Sequence, residues 1–113
     1  MKRIEAIVRP SKVTNVCAVL DRIDHPGLTV MDVEGHGRQK GVEQEVQGKK
    51  YKVGLMNKVR IEIVVKDDDV DRITTAICEA ALTGKVGDGK IFIHPVEDAI
   101  RIRTGERGMA AIV

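Results

Sequence analysis

Residues 83–90 read Thr83-Gly84-Lys85-Val86-Gly87-Asp88-Gly89-Lys90, and the patterns on either side of them decide the fold. Glycines let backbone N–H groups turn inward and approach a ligand closely, and lysines supply positive charge at the same place, which is the chemistry of a phosphate cradle. Further on, Arg101-Ile102-Arg103 would set two guanidinium groups on one face of an extended segment. Together these residues point to a bound polyphosphate such as a nucleotide. The loop superficially fits a Walker pattern, Gly84 followed by Gly89-Lys90, but Ile91 stands where Ser or Thr would hold magnesium. The order of elements is also reversed. A P-loop joins a strand to a following helix, whereas this loop follows a helical pattern and leads into Lys90-Ile91-Phe92-Ile93, which reads as a strand.

Upstream of the loop, Val70, Ile73, Ala76, Ile77, Ala80 and Ala81 repeat at helical spacing. Asp67-Asp68-Asp69 opens that helix as capping carboxylates rather than as a metal site, and Gly84 stands where a C-cap belongs. Before it, Lys58 to Lys66 reads as a strand with Val59, Ile61, Ile63 and Val65 on one face. The amino-terminal half has the same plan. Arg3 to Arg9 alternates Ile4, Ala6 and Val8 against Glu5, Ile7 and Arg9. Pro10 ends that strand and Ser11 is placed to cap a helix whose stripe is Val13, Val16, Cys17, Leu20 and Ile23. His25-Pro26-Gly27 breaks it, and Leu28 to Glu34 is a second strand.

From Gly35 to about Asn57 the pattern dissolves into a loop of about twenty residues, a length that is usually functional. It carries Arg38, Lys40, Lys49, Lys50 and Lys52 against Glu43 and Glu45. Pro95 to Ile100 suggests a turn of helix, Ile100 to Arg103 a small extra strand, and the tail from Gly105 a loosely held end. Strand–helix–strand, long loop, strand–helix–strand is the split βαβ, ferredoxin-like arrangement of the α+β class, with right-handed crossovers and both helices on one face of one sheet. The other face, with residues such as Ile7 and Ile63, needs a cover, and another subunit would supply it.

The bulk composition agrees with one small domain. With 113 residues the chain has room for one core and is marginal alone, which favours oligomerisation. Aromatics are only 2%, Tyr51 and Phe92, so the core is aliphatic. The same scarcity disfavours RNA binding on a ferredoxin-like sheet, which uses aromatics for stacking. A net charge of +2 leaves no polybasic tail for nucleic acid or membrane. No apolar run reaches the length of a membrane span and no signal-peptide pattern is present, so the reading is cytoplasmic. Cys17 and Cys78 form no CxxC and read as reduced, mostly buried small residues. His25, His36 and His94 lie far apart and receive no catalytic role.

Gly-Arg-Gln-Lys-Gly at 37–41, Lys58 opening a strand, Thr-Gly-Lys-Val-Gly-Asp-Gly-Lys-Ile-Phe at 83–92 and Ile-Arg-Ile-Arg-Thr-Gly-Glu at 100–106, read together, closely resemble the PII nitrogen-regulatory signal-transduction family. The resemblance runs from the opening Met-Lys-Arg-Ile-Glu-Ala-Ile-Val-Arg-Pro to the Thr-Gly-Glu near the end. It implies a single 1–113 domain, trimeric, with a long effector loop at about 36–57, a phosphate loop at about 82–90 and a C-terminal arginine segment at about 100–107. It implies a homotrimer that binds ATP or ADP in clefts between subunits, binds 2-oxoglutarate when Mg-ATP is present, and is not an enzyme. Targets would be the membrane ammonium channel, nitrogen-assimilation enzymes and their regulators, engaged through the long loop.

Residue by residue, the resemblance places Gly87, Asp88, Gly89 and Lys90 on the phosphates, joined by Arg101 and Arg103, whose guanidinium forks suit phosphate oxygens. Ile7, Gly35, Arg38, Glu62 and Val64 match positions around the adenine and phosphates. Gln39 matches a residue that lends its amide oxygen to Mg²⁺, a hard cation. Lys58 matches the lysine that pairs with the far carboxylate of 2-oxoglutarate, and the backbone of Gln39, Lys40 and Gly41, with Gly87, would complete that site.

Several positions depart from the family pattern. Leu82 stands for a frequent arginine, Gln47 for the arginine that enters the channel pore in some complexes, Lys49 for a serine phosphorylated in some relatives, and Asn57 for a frequent proline. Tyr51 remains as a candidate acceptor of a nucleotidyl group, though Val46-Gln47-Gly48-Lys49-Lys50 changes the flank a modifying enzyme would read. The alternative from another class is a slow ATP-hydrolysing enzyme, which would need a positioned general base that the phosphate motif does not supply.

Overall fold

The computed structural model describes residues 1–35, 43–46, 49–52 and 56–113, the middle two stretches as backbone. The strands are β1 (Lys2–Val8), β2 (Thr29–Gly35), β3 (Glu43–Val46), β4 (Lys49–Lys52), β5 (Met56–Val65) and β6 (Lys90–Pro95). The helices are α1 (Val13–Asp21), α2 (Val70–Ala81) and the short α3 (Met109–Ile112). Four strands form an antiparallel sheet in the order β2-β5-β1-β6, the α+β plan that the strand–helix–strand repeat predicts.

Alternation along the strands decides which side is covered. Ile4, Ala6 and Val8 of β1 and Val59, Ile61, Ile63 and Val65 of β5 are buried with Val16 and Leu20 of α1 and Ile73, Ile77 and Ala81 of α2. Both helices therefore cover the same face. Burying each of the Val, Leu and Ile side chains among them contributes about 1.5–3 kcal/mol. Ile63 belongs to this core, not to the open face where the sequence reading had also set it; in β5 it points the same way as Ile61 and Val65, and it pairs with Ile4. The opposite face carries Arg3, Glu5 and Ile7 of β1, Lys58, Arg60, Glu62 and Val64 of β5, and Lys90, Phe92 and His94 of β6, by the registers Arg3↔Val64, Glu5↔Glu62, Ile7↔Arg60 and Glu5↔Phe92.

The helix ends differ from their expected chemistry. Both long helices are entered through 3-10 turns, Pro10–Lys12 and Asp67–Asp69, and neither turn has a side-chain cap. Ser11 therefore caps nothing. Asp67 instead meets the Met1 ammonium at 3.1 Å and Asp69 meets Arg72 at 3.2 Å. Helix α2 ends at Leu82, which is extended (φ −67°, ψ 128°), two residues before Gly84. Within the stretch expected to be patternless, β3 and β4 pair as an antiparallel hairpin, Glu43↔Lys52 to Val46↔Lys49.

Beyond β6 there is neither the expected turn of helix at 95–100 nor an extended 100–103 strand. Ile100 makes one isolated bridge to Arg107, and residues 102–104 form a turn closed by Gly105 N–H donating to Arg101 O at 2.7 Å. Arg101 and Arg103 thus do not share the face of a strand. The tail is tied down rather than loose: Arg101 donates to the Val113 carbonyl, and Arg107 pairs with Asp98 at 3.0 Å. Cys17 is half-buried and Cys78 exposed, both as free thiols, so burial holds for neither in full. Among the described residues, no helix is long and apolar enough to cross a membrane and no cluster of metal-ligating side chains occurs.

Candidate functional site

The loop after α2 is built around one carboxylate. Asp88 Oδ2 accepts the backbone N–H groups of Thr83 and Gly84, each at 2.9 Å, and Oδ1 accepts the Thr83 hydroxyl. The stretch 83–88 is thereby drawn into a closed turn. From the end of β1, Arg9 Nε donates to Asp88 Oδ1 at 3.1 Å and Nη2 to the Val86 carbonyl at 2.8 Å. These hydrogen bonds to the ionised form, the Thr83 hydroxyl first among them, hold the Asp88 carboxyl far below the usual carboxylate range.

Gly84, Gly87 and Gly89 all have positive φ, +83°, +106° and +100°. At Gly89 this is compulsory, because a Cβ there would sit 1.7 Å from the Ile7 carbonyl oxygen. The loop backbone is pressed directly onto β1, and only a residue without a side chain allows that approach. From β5, Lys58 Nζ donates to the Gly87 carbonyl at 2.7 Å. Lys58 is 9% exposed. Burial above all, and then the neighbouring Arg9 charge, lower its pKa, while Asp88 opposes them. Gly35 closes the same corner, since a Cβ there would meet Lys58 Cγ at 3.3 Å.

A hollow of about 380 Å³ flanks the loop, between Ile77, Cys78, Ala81 and Leu82 of the α2 end and Asp88, Gly89 and Lys90. Its helix-side wall is apolar, so it does not suit phosphate.

Ile7, Gly35, Lys58 and Gly87 to Lys90 converge at one end of the sheet. Arg101 bonds instead to Glu106 and Val113. Strand β6 starts with Lys90 beside Ile7 and ends with Pro95 beside Lys2, a run of about 17 Å at the usual strand rise. Val64, opposite Arg3, is at that far end, with Glu62 between. Val96 N–H donates to Met1 O there at 3.1 Å. Within one chain the glycine loop and Ile7 therefore stand at one end of the sheet, and Val64 and the close of β6 at the other.

A family model described as nitrogen regulatory protein P-II matches residues 1–106. The chain belongs to the P-II nitrogen regulatory family. Proteins of that name from Rhodospirillum rubrum and Bradyrhizobium diazoefficiens are each 50% identical over 112 residues, covering 99% of this chain and 100% of theirs. A P-II protein 2 from Methanothermobacter thermautotrophicus is 46% identical over 99% of this chain and 97% of its own length. Among solved structures, Arabidopsis thaliana PII bound to citrate is similar with a TM-score of 0.78 at 44% identity, covering 97% of this chain and 90% of that one.

Of the positions that the P-II resemblance singles out, Arg38, Gln39, Lys40 and Gly41 lie outside the described residues, and Tyr51 is described only as backbone within β4. Asp88 turns its carboxylate onto its own loop. The residue that sequence reasoning missed is Arg9. The only signal for it was indirect: an acid amid glycines and lysines needs its charge answered, and a strand end nearby carries a cation.

Proposed function

We propose that this P-II family chain is a signal-transduction regulator of nitrogen metabolism that senses ATP or ADP and 2-oxoglutarate in clefts between the subunits of a homotrimer. The observation that supports the reading is that the glycine loop, Lys58 and Ile7 gather at one end of the sheet while Val64 and the close of β6 lie at the other. The glycine loop with Lys58 and Lys90 would contribute one wall of a cleft. Glu62, Val64, Arg101 and Arg103 of a second copy would contribute the other. Apposing the ends of neighbouring sheets brings backbone donors, ammonium and guanidinium groups onto one polyphosphate.

The half-buried polar face supports such a cover. Glu5 lies directly opposite Glu62, a repulsive pairing that Arg60, 3.9 Å from Glu62, offsets in part. Arg3 Nε is buried and makes no hydrogen bond among the described residues, so an added surface has a donor to satisfy.

Within this reading Mg²⁺ accompanies ATP, and Gln39 lends it an oxygen. A 2-oxo acid then chelates the same ion while its far carboxylate takes Lys58. The citrate of the Arabidopsis relative, a tricarboxylate, is in keeping with a fold that accepts small polycarboxylates. The segment 36–57 would carry the ligand state to cytoplasmic targets, either an ammonium channel or enzymes of nitrogen assimilation or fixation. Gln47 in place of the pore-entering arginine weighs toward the enzymes. Slow hydrolysis gains no support from the loop, where every partner of Asp88 holds it as a structural anion rather than a base.

Calorimetry tests this directly. ATP and ADP should bind the same sites competitively, and 2-oxoglutarate should bind only with Mg-ATP present. Lys58→Ala should abolish the 2-oxoglutarate heat while ATP still binds. Equal binding of 2-oxoglutarate without nucleotide would refute the coupling.

A further inference from the structure

We infer that Arg9 is a positioning residue for the glycine-rich loop, which sets the loop's backbone before nucleotide arrives and does so through Asp88 and Val86 rather than by touching the nucleotide; the inference deepens the nucleotide-binding reading and rests on it. Its basis is a convergence of bonds on two side chains that are 79 positions apart. Arg9 spans the Asp88 carboxylate and the Val86 carbonyl, and Asp88 in turn gathers the Thr83 hydroxyl and the Thr83 and Gly84 amides. Isolated surface ion pairs contribute little, but this pair is largely covered, with side chains 20% and 21% exposed, and each partner makes further hydrogen bonds.

Arg9 is itself held. It follows the last residue of β1, and Pro10 restricts it to the extended backbone it adopts (φ −62°, ψ 140°). The guanidinium is therefore launched from a fixed point on the sheet toward the middle of the loop. Both of its bonds go to loop oxygens, so it occupies none of the loop's N–H groups, of which those of Thr83, Gly84 and Lys85 are engaged by Asp88 and the Thr83 hydroxyl. Without Arg9 the Val86 carbonyl loses that donor and Asp88 loses its guanidinium, so the loop must be ordered when a ligand binds, at a cost in affinity.

The test uses the full chain with Arg9→Ala, Arg9→Lys, Asp88→Asn and the Arg9→Ala/Asp88→Asn double variant. Two quantities are read: amide hydrogen exchange at Thr83 and Gly84 without ligand, and ATP affinity by calorimetry. Arg9→Ala and Asp88→Asn should each speed exchange and weaken ATP by about tenfold, the scale of losing a charge-assisted hydrogen bond. Arg9→Lys should not rescue either quantity, because an ammonium lacks the two-pronged reach. The double variant should lose far less than the product of the two single losses, since both cut one link. Unchanged exchange in Arg9→Ala, or losses that multiply in the double variant, would overturn the inference, the latter by making Arg9 an independent ligand contact. If the unmodified chain binds no adenine nucleotide, the functional reading fails, while the exchange data still decide whether Arg9 orders the loop. Should Arg9→Ala fail to fold, Arg9→Lys and Asp88→Asn carry both measurements.

Discussion

Asp88 shows how one side chain changes meaning between sequence and structure. In the sequence it is an acid inside a phosphate-binding motif. In the fold it is the knot of the loop, hydrogen-bonded to Thr83, Gly84 and Arg9. A depressed carboxyl pKa contributes stability that is present above the unfolded value, about 3.9, and is lost as pH falls through the folded value. Asp88 is depressed in this way, so the loop should be intact at neutral pH and open only under strong acid. Its carboxyl carbon resonance, followed by NMR, is expected to titrate well below pH 3.9; a midpoint near 4 would mean that the network does not form in solution. Neither Arg9 nor the inward turn of Asp88 was legible in the sequence. A charge at a strand end reads as solvated until tertiary contacts show what lies beside it.

At the level of elements, the alternating strands and the helical stripes were legible because burial imposes their periods. Ile4, Ala6 and Val8, and Val59 to Val65 at alternate positions, are the core they predict. Helix ends were not. Capping rules award the free N–H groups to Ser11 and to Asp67–Asp69, but each helix is entered through a turn whose backbone already bonds to itself, Lys12 N–H to Arg9 O at 2.9 Å and Asp69 N–H to Lys66 O at 3.0 Å. The side chains were thus free for other work. The glycine loop is the element whose geometry is least tolerant. Gly89→Ala must relieve both a positive φ and a collision with the Ile7 carbonyl. Strain of that kind costs about 1–3 kcal/mol. We expect a melting temperature lower by about 4–8 °C per kcal/mol in a thermal melt, with weaker ATP binding. A variant that melts and binds like the parent would show that the loop does not press on β1.

For the whole molecule, what the sequence could not display is distance. Motifs at 83–90 and 100–106 look adjacent when read along the chain, yet β6 runs the length of the sheet between them, from Lys90 beside Ile7 to Pro95 beside Lys2. Among the described residues the sheet also ends in two open edges, β2 and β6, and Phe92 is half-exposed and Ile102 99% exposed. Edges and apolar groups of this kind are commonly covered by another chain. If the copies assemble as the proposed homotrimer, sedimentation should give a mass about three times 12.4 kDa. Phe92→Asp should yield smaller species that lose ATP as they dissociate. Undiminished nucleotide affinity in a monomer would show that one chain suffices.

Cys78 also has a practical consequence. It is the more accessible of the two thiols and it rims the hollow beside Asp88 and Gly89. A maleimide dye can thus be attached to the native chain without engineering a cysteine, close enough to the loop for its fluorescence to follow the opening and closing of that turn in real time.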